Sequence, residues 1–195
     1  ILSLIIGLVL GLVGGGGSIL TVPLVDQFFG ETLLVATTYS LFVVAIASAF
    51  GVLQRVRRDE VDFKQGFVFV VPSMVVAFAI RMWIMPLFPI SFALSDFQLS
   101  RDIVITTLLI LVMFYTAFKT LFSKSRPTAT ATSNLVVILF GILTGVLSGF
   151  IGAGGGFIIV PILLRLGLDM KKAVGTSMFI IAIQSSVALI GDMFN

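Results

Sequence analysis

Four stretches of this chain are apolar over the length that a helix needs to cross a lipid bilayer, which is about 20 residues. They comprise residues 33–53, 66–86, 102–122 and 173–190. Backbone groups inside a bilayer have no water to bond to, so they must hydrogen-bond within their own segment. The runs are continuous rather than alternating, which is unlike an outer-membrane strand. The sequence therefore predicts an all-α, polytopic membrane protein.

The composition excludes most soluble alternatives. Hydrophobic residues make up 58% of the chain and charged residues 11%, whereas soluble domains carry about 25% charged residues. The absence of cysteine and histidine excludes a disulfide framework, a thiolate metal site and catalysis by either side chain. The bases are spread over short loops, so we expect no nucleic-acid binding. No catalytic, metal-binding or cofactor-binding motif is present, so we predict a protein that is not an enzyme.

Two further apolar runs, residues 1–24 and 135–164, each contain a cluster of glycines followed by a proline. The clusters are GGGGS at residues 14–18 and GAGGG at residues 152–156. Glycine clusters disfavour a continuous helix. The second run, continued to Leu168, would also extend about 50 Å as one helix, well beyond a hydrocarbon core of about 30 Å. We expect a broken helix or a re-entrant hairpin in each run.

The two clusters belong to an internal repeat. GLVGGGGSILTVP at 11–23 aligns with GFIGAGGGFIIVP at 149–161, and SLFVVAIAS at 40–48 aligns with SMFIIAIQS at 177–185. We therefore predict two membrane repeats. The first, residues 1–126, has a broken segment and three spans. The second, residues 134–195, has a broken segment and one span, and we expect it to be truncated.

The basic residues indicate how these segments are oriented. They concentrate in the loops at 54–64, 119–133 and 165–172, which the positive-inside rule assigns to the cytoplasm of an inner-membrane protein. The second broken segment would then enter and leave on one side, and the two repeats would be inverted, as in many secondary transporters. Four full crossings in each copy, which would give parallel repeats, are the alternative.

The glycine clusters are the first candidate binding groups. A cluster that starts a half-helix leaves backbone N–H groups at a positive end that attracts an anion. The alternative is that these small residues only let helices pack closely.

Polar side chains inside the apolar runs are the second group of candidates. Hydroxyl groups that open the span after each cluster are expected to face one another across the site, or else to bond to their own helices. Arg81 lies inside a span and either binds an anion or extends toward the headgroups. No Asp or Glu falls inside a predicted span core, so no carboxylate relay is expected. The predicted substrate-binding residues are Gly14, Gly15, Gly16, Gly17, Ser18, Thr38, Ser40, Gly152, Gly154, Gly155, Gly156, Thr176, Ser177 and Arg81.

The segments GLVGGGGSILTVPLV and GFIGAGGGFIIVPILLRLGLDMKKAVGTSMFIIA together resemble the TauE/SafE family of sulfite and organosulfur-anion permeases. The likeness covers nearly the whole chain and is strongest at residues 149–183. It implies a multi-pass inner-membrane carrier, built by duplication, that moves small anions such as sulfite or sulfonates by a secondary mechanism. Ser18, Thr38-Tyr39-Ser40 and Arg81 depart from the family pattern.

The expected partners are a small anionic substrate and the lipid bilayer, with a homo-oligomer left open. The alternatives to a carrier are an anion channel and a membrane scaffold subunit that transports nothing.

Overall fold

The computed structural model describes residues 33–87, 91–94, 97–100, 134–151 and 155–194, together with five single positions between 107 and 118. The helices are α1 (Leu33–Val56), α2 (Phe63–Ala79), α3 (Met85–Leu87), α4 (Asn134–Ile151), α5 (Gly156–Arg165) and α6 (Met170–Met193). A π-helical turn, Ile80–Ile84, joins α2 to α3. Two short strands, β1 (Ser91–Leu94) and β2 (Phe97–Ser100), pair antiparallel between α3 and α4.

Within the described residues, three helical segments are long and apolar enough to cross a membrane. They are Val35–Val56, Phe63–Ile84 and Met170–Met193, and they overlap the spans predicted at 33–53, 66–86 and 173–190. Most of the span predicted at 102–122 lies outside the described residues, as do the cluster at 14–18 and residues 152–154. Apart from the β1–β2 hairpin, the described elements are helical, as the composition predicts.

The outer surface of the helices is apolar. Phe42, Phe50, Phe67, Val75 and Trp83 are each more than half exposed. A soluble protein rarely exposes so much contiguous apolar surface. In a bilayer the same side chains face hydrocarbon, so the surface supports a membrane location.

Helices α2 and α4 pack closely and run in the same direction. Three glycines at four-residue spacing on α4 bring the two backbones together. Successive glycines of α4 contact successively later residues of α2 and the π turn: Gly141 lies against Phe69, Gly145 against Ser73 and Gly149 against Ile80. These three glycines therefore form a packing face between α2 and α4.

Helix α6 runs parallel to α2 and antiparallel to α1. Later residues of α2 contact later residues of α6. Later residues of α1, by contrast, contact earlier residues of α6. Gly66 lies against Phe179 and Phe78 against Gly191, while Thr38 meets Asp192 and Gly51 meets Met178. Helices α2, α4 and α6 therefore all begin at the same end of the bundle, where α1 ends.

That shared end carries most of the described bases, and we call it the basic end; the opposite end is the far end. The backbone N–H of Asp62 donates to Oγ1 of Thr176 at 2.9 Å, which ties the α1–α2 loop to the first turns of α6. The bases near this end are Arg55, Arg57, Arg58, Lys64, Arg165, Lys171 and Lys172.

Helices α4 and α5 fold back on each other. Gly155, just before α5, has a left-handed backbone with φ of 67°, which suits glycine. A Cβ atom placed on it would lie 3.8 Å from the carbonyl oxygen of Thr144 and from Cβ of Ser148. Helix α5 thus starts beside the middle of α4, and the chain returns to the basic end before α6 begins.

Replacing Gly145 with valine should lower the stability of the α2–α4 contact. A Cβ atom at this position would lie 2.5 Å from the carbonyl oxygen of Ser73, so the helices must separate, at a cost of about 1–3 kcal/mol. Thermal unfolding of the detergent-solubilised protein measures the effect. Leu143→Val, on the exposed face of the same helix, is the matched control; equal melting temperatures for the two variants would contradict the packing described here.

Candidate functional site

One arginine lies inside the helical bundle. Arg81 belongs to the π-helical turn Ile80–Ile84, and its side chain is 0% exposed. A single π turn within an α-helix is rare and occurs most often at functional sites. Because the guanidinium is fully buried, the alternative that it extends toward the headgroups is wrong for this structure.

The guanidinium group of Arg81 bonds to three different helices. Its Nε donates to the carbonyl oxygen of Gly149 on α4 at 2.7 Å. Its Nη1 donates to Oγ1 of Thr37 on α1 at 3.2 Å and to Oδ2 of Asp192 on α6 at 2.8 Å. These bonds hold the far ends of α1, α4 and α6 around the π turn.

The sequence reasoning missed the acidic partner of this arginine. Asp192 lies two residues beyond the span predicted at 173–190, but α6 continues to Met193 and carries the carboxylate into the bundle. Thr38 donates to the same Oδ2 at 2.7 Å, and the Asp192 side chain is 11% exposed. The signal available in the sequence was charge balance, since a base within a span needs a nearby acid.

The positive end of α5 lies against α4, the helix that also accepts a hydrogen bond from Arg81. Gly155 precedes α5 and has no side chain with which to cap it, so the first turn of α5 is a positive helix end that favours an anion. Ser148, whose Cβ lies beside Gly155, directly precedes Gly149, whose carbonyl oxygen accepts from Arg81. The guanidinium and the α5 N-terminus therefore flank the same short stretch of α4.

Several buried polar side chains on α1, α4 and α6 have no hydrogen-bond partner among the described residues, and Ser148 is the one next to Gly149 and the start of α5. The Oγ atom of Ser148, whose residue is 1% exposed, is one of them. The others on these helices are Ser40, Gln184 and Ser185. An unsatisfied buried polar group costs about 1–3 kcal/mol. Native proteins usually satisfy such groups with water or a ligand, so this region has the character of a binding site.

The far end collects part of the predicted site. Thr38 and Arg81 lie there, with Ser40 within one turn of Thr38 on α1, while Gly155 and Gly156 lie at the start of α5, which packs against Thr144 and Ser148 of α4. Gly14, Gly15, Gly16, Gly17, Ser18, Gly152 and Gly154 lie outside the described residues.

The structure does not bring the two groups of hydroxyls together. Thr176 accepts from the backbone of Asp62 at the basic end, and Ser177 donates to the carbonyl oxygen of Val174. Asp192, the partner of Thr38, lies about 22 Å farther along α6 than Ser177. The expectation that these hydroxyls face one another is wrong. Because α1 and α6 are antiparallel, their first turns lie at opposite ends of the bundle.

Breaking the Arg81–Asp192 pair from one side should destabilise the protein more than removing both charges. Arg81→Met leaves a buried carboxylate without its cation, which costs about 3–5 kcal/mol. The double variant Arg81→Met/Asp192→Asn should recover much of that loss. Melting temperatures of the wild type, both single variants and the double variant form the cycle, and additive losses would contradict a direct pair.

A sequence model described as sulfite exporter TauE/SafE matches residues 1–195. The chain is 28% identical to the probable membrane transporter protein YunE of Bacillus subtilis over 226 aligned residues, which cover 100% of this chain and 77% of that protein. It is 27% identical to a probable membrane transporter protein of Methanocaldococcus jannaschii over 198 residues, covering 97% and 70%. No solved structure matches the chain.

A relative from Arabidopsis thaliana carries the family's name. It is the sulfite exporter TauE/SafE family protein 3, which is 31% identical over 81 residues that cover 40% of this chain and 17% of that protein. The match to the family extends from the first residue of this chain to the last, and its helices have the length and apolarity of membrane spans. The chain therefore belongs to the sulfite exporter TauE/SafE family of membrane transporters.

Proposed function

We propose that this protein is a secondary carrier that moves small anions such as sulfite or sulfonates, and that the anion binds between Arg81 and the N-terminus of α5. The observation that carries the proposal is a fully buried guanidinium that donates to Gly149 of α4, one residue after Ser148, against which the start of α5 packs. Both groups favour negative charge. Deep among apolar helices, such an arrangement is costly unless it serves a function.

The chemistry of the surrounding groups suits an oxyanion. A guanidinium presents several N–H donors in one plane, which matches the spaced oxygens of a carboxylate, sulfite or sulfonate group. The hydroxyl of Ser148 and the first-turn N–H groups of α5 add donors from the α4–α5 side. Arg81 already holds one oxygen of a carboxylate, that of Asp192, at 2.8 Å, so an anion at this position has a precedent within the protein.

The name of one relative supports this substrate class, and the names of the others support transport across a membrane. The Arabidopsis relative is named a sulfite exporter family protein, and the bacterial and archaeal relatives are named probable membrane transporters. The tetrahedral or pyramidal shape of sulfur oxyanions lets three oxygens accept hydrogen bonds from different directions.

The helix directions support an inverted repeat. Residues 40–48 of α1 and 177–185 of α6 occupy equivalent positions in the two copies, yet α1 and α6 run antiparallel. Parallel repeats require equivalent spans to run in the same direction across the membrane, whereas inverted repeats require opposite directions. We propose residues 1–126 and 134–195 as the two inverted repeats, with α4 and α5 forming a re-entrant hairpin in the second.

The distribution of bases then orients the protein. We assign the basic end to the cytoplasm by the positive-inside rule and the Arg81 end to the outer half of the inner membrane. The α4–α5 hairpin would enter from the cytoplasm and present its tip, with the α5 N-terminus, to the arginine. This arrangement is typical of carriers whose half-helices meet an anion inside the membrane.

Replacing Ser148 with alanine should weaken anion binding and leave the fold intact. The hydroxyl has no partner within the described residues, so its loss removes a donor to the substrate but breaks no structural bond. We expect the apparent affinity for sulfite to fall by about tenfold, the effect of losing roughly 1.4 kcal/mol of binding free energy. Initial rates of labelled sulfite exchange in proteoliposomes give this affinity.

Ser73→Ala is the matched control for that experiment. Ser73 is also a buried serine on a neighbouring helix, but its hydroxyl donates to the carbonyl oxygen of Val70. Its loss should leave sulfite affinity unchanged. Equal affinities for the Ser148→Ala variant and the wild type would place the anion elsewhere, and absence of exchange by the wild type with any sulfur oxyanion would overturn the proposed function.

Single cysteines should report the proposed topology, because the natural chain contains none. Arg58→Cys, Leu135→Cys and Lys172→Cys should react with a membrane-impermeant maleimide only after permeabilisation of the cells. Leu87→Cys and Met193→Cys, at the exposed far end, should react in intact cells. Labelling of Leu135→Cys and Lys172→Cys from opposite sides would show that α4 and α5 do not form a re-entrant hairpin.

A further inference from the structure

We propose that Asp192 is the proton-carrying residue of the transport cycle, and that one proton moves with each anion. The inference rests on the proposed function, because it supposes that an anion binds at Arg81. It names the coupling ion, which the anion site alone does not specify. Its basis is that Asp192 holds Nη1 of the guanidinium, with Oδ2 at 2.8 Å, and Nη1 is one of the donors that an oxyanion at Arg81 would use.

Charge balance prevents an ionised Asp192 and a substrate anion from binding to the Arg81 guanidinium at the same time. Arg81 stays protonated under all conditions that a cell provides, and the Arg81–Asp192 pair is neutral as a unit. An anion added to this pair would leave a net negative charge in an apolar bundle, which is strongly unfavourable. If Asp192 takes up a proton as a singly charged anion such as hydrogensulfite or a sulfonate arrives, the site remains neutral before and after binding. An anion and a proton therefore bind together.

The neighbours of Asp192 fit a carboxylate that alternates between two states. In the described part of the chain, the charged group facing it is Arg81 from the π turn, and α1 contributes the hydroxyl groups of Thr37 and Thr38. Gly191 beside it packs on Phe78 of α2, which carries no charge. Thr38 donates to the carboxylate in this state, and a hydroxyl can equally accept from a protonated carboxyl group.

The position of Asp192 also gives a proton a route that the arginine lacks. Asp192 lies in the last turn of α6, and its side chain is 11% exposed, whereas that of Arg81 is 0% exposed. The two residues that follow it, Met193 and Phe194, are largely exposed. A proton can reach the carboxylate from the far end while the guanidinium stays enclosed.

The test compares two kinds of sulfite flux in proteoliposomes that contain the full chain. Exchange of labelled for unlabelled sulfite at equal pH on both sides requires no net proton movement. Accumulation of labelled sulfite driven by an imposed pH gradient, acid outside, requires coupling. Protonation of sulfite itself is the same in all vesicles, so differences between variants belong to the protein.

Asp192→Asn should retain exchange and lose accumulation driven by the pH gradient, by about tenfold or more. Without the carboxylate, the buried cation keeps an anion bound, so one anion can replace another but the empty carrier does not return. The apparent affinity for a sulfonate, which does not take up a proton near neutral pH, should also lose its dependence on pH. Asp169→Asn is the control, because Asp169 is an exposed carboxylate at the basic end of the same helix, with no capping hydrogen bond. It should behave as the wild type.

The outcomes separate this inference from the proposed function. Exchange together with undiminished gradient-driven accumulation in Asp192→Asn would overturn the coupling role and leave the carrier intact. Absence of exchange in the wild type would overturn the carrier itself. If Asp192→Asn does not fold, a pH-sensitive dye inside wild-type vesicles decides: sulfite entry accompanied by no more proton uptake than protein-free vesicles show would contradict the proposal.

Discussion

A buried guanidinium that cannot give up its proton has to be neutralised where it lies, and this requirement organises the far end of the bundle. Arg81 draws a backbone carbonyl from α4, a hydroxyl from α1 and a carboxylate from α6. Desolvating a charged pair costs several kcal/mol per ion, and only well-placed bonds of this kind offset it. The π turn that carries Arg81 is therefore the point at which both predicted repeats meet.

Close backbone packing makes this arrangement possible. The glycines of α4 allow its backbone to approach α2, and the last of them, Gly149, supplies the carbonyl oxygen that accepts from Arg81. A larger residue at these positions would move the hairpin away from the arginine. The glycines that pack the helices and the polar groups that we assign to the anion thus depend on each other. At Gly149, close packing and a contribution to the proposed site are therefore not alternatives.

The sequence predicted where the helices lie along the chain better than which residues lie next to each other in the bundle. Apolar runs located α1, α2 and α6 because lipid imposes a minimum length and excludes unpaired backbone groups. Arg81 stood out because a base inside a span is costly. Asp192 was missed because the apolar window ended at residue 190, and no one-dimensional pattern shows that α6 continues beside the π turn. The separation of Thr176 from Thr38 follows from the antiparallel directions of α1 and α6, which the predicted inverted repeats already imply.

The most direct test of the anion site is a structure of the full chain with selenite, a heavier analogue of sulfite whose selenium can be located by anomalous scattering. The account predicts a selenium peak within hydrogen-bonding distance of the Arg81 guanidinium and the Ser148 hydroxyl, with the Asp192 carboxylate withdrawn from Nη1. A selenium peak at another position, with the Arg81–Asp192 bond unchanged, would contradict it.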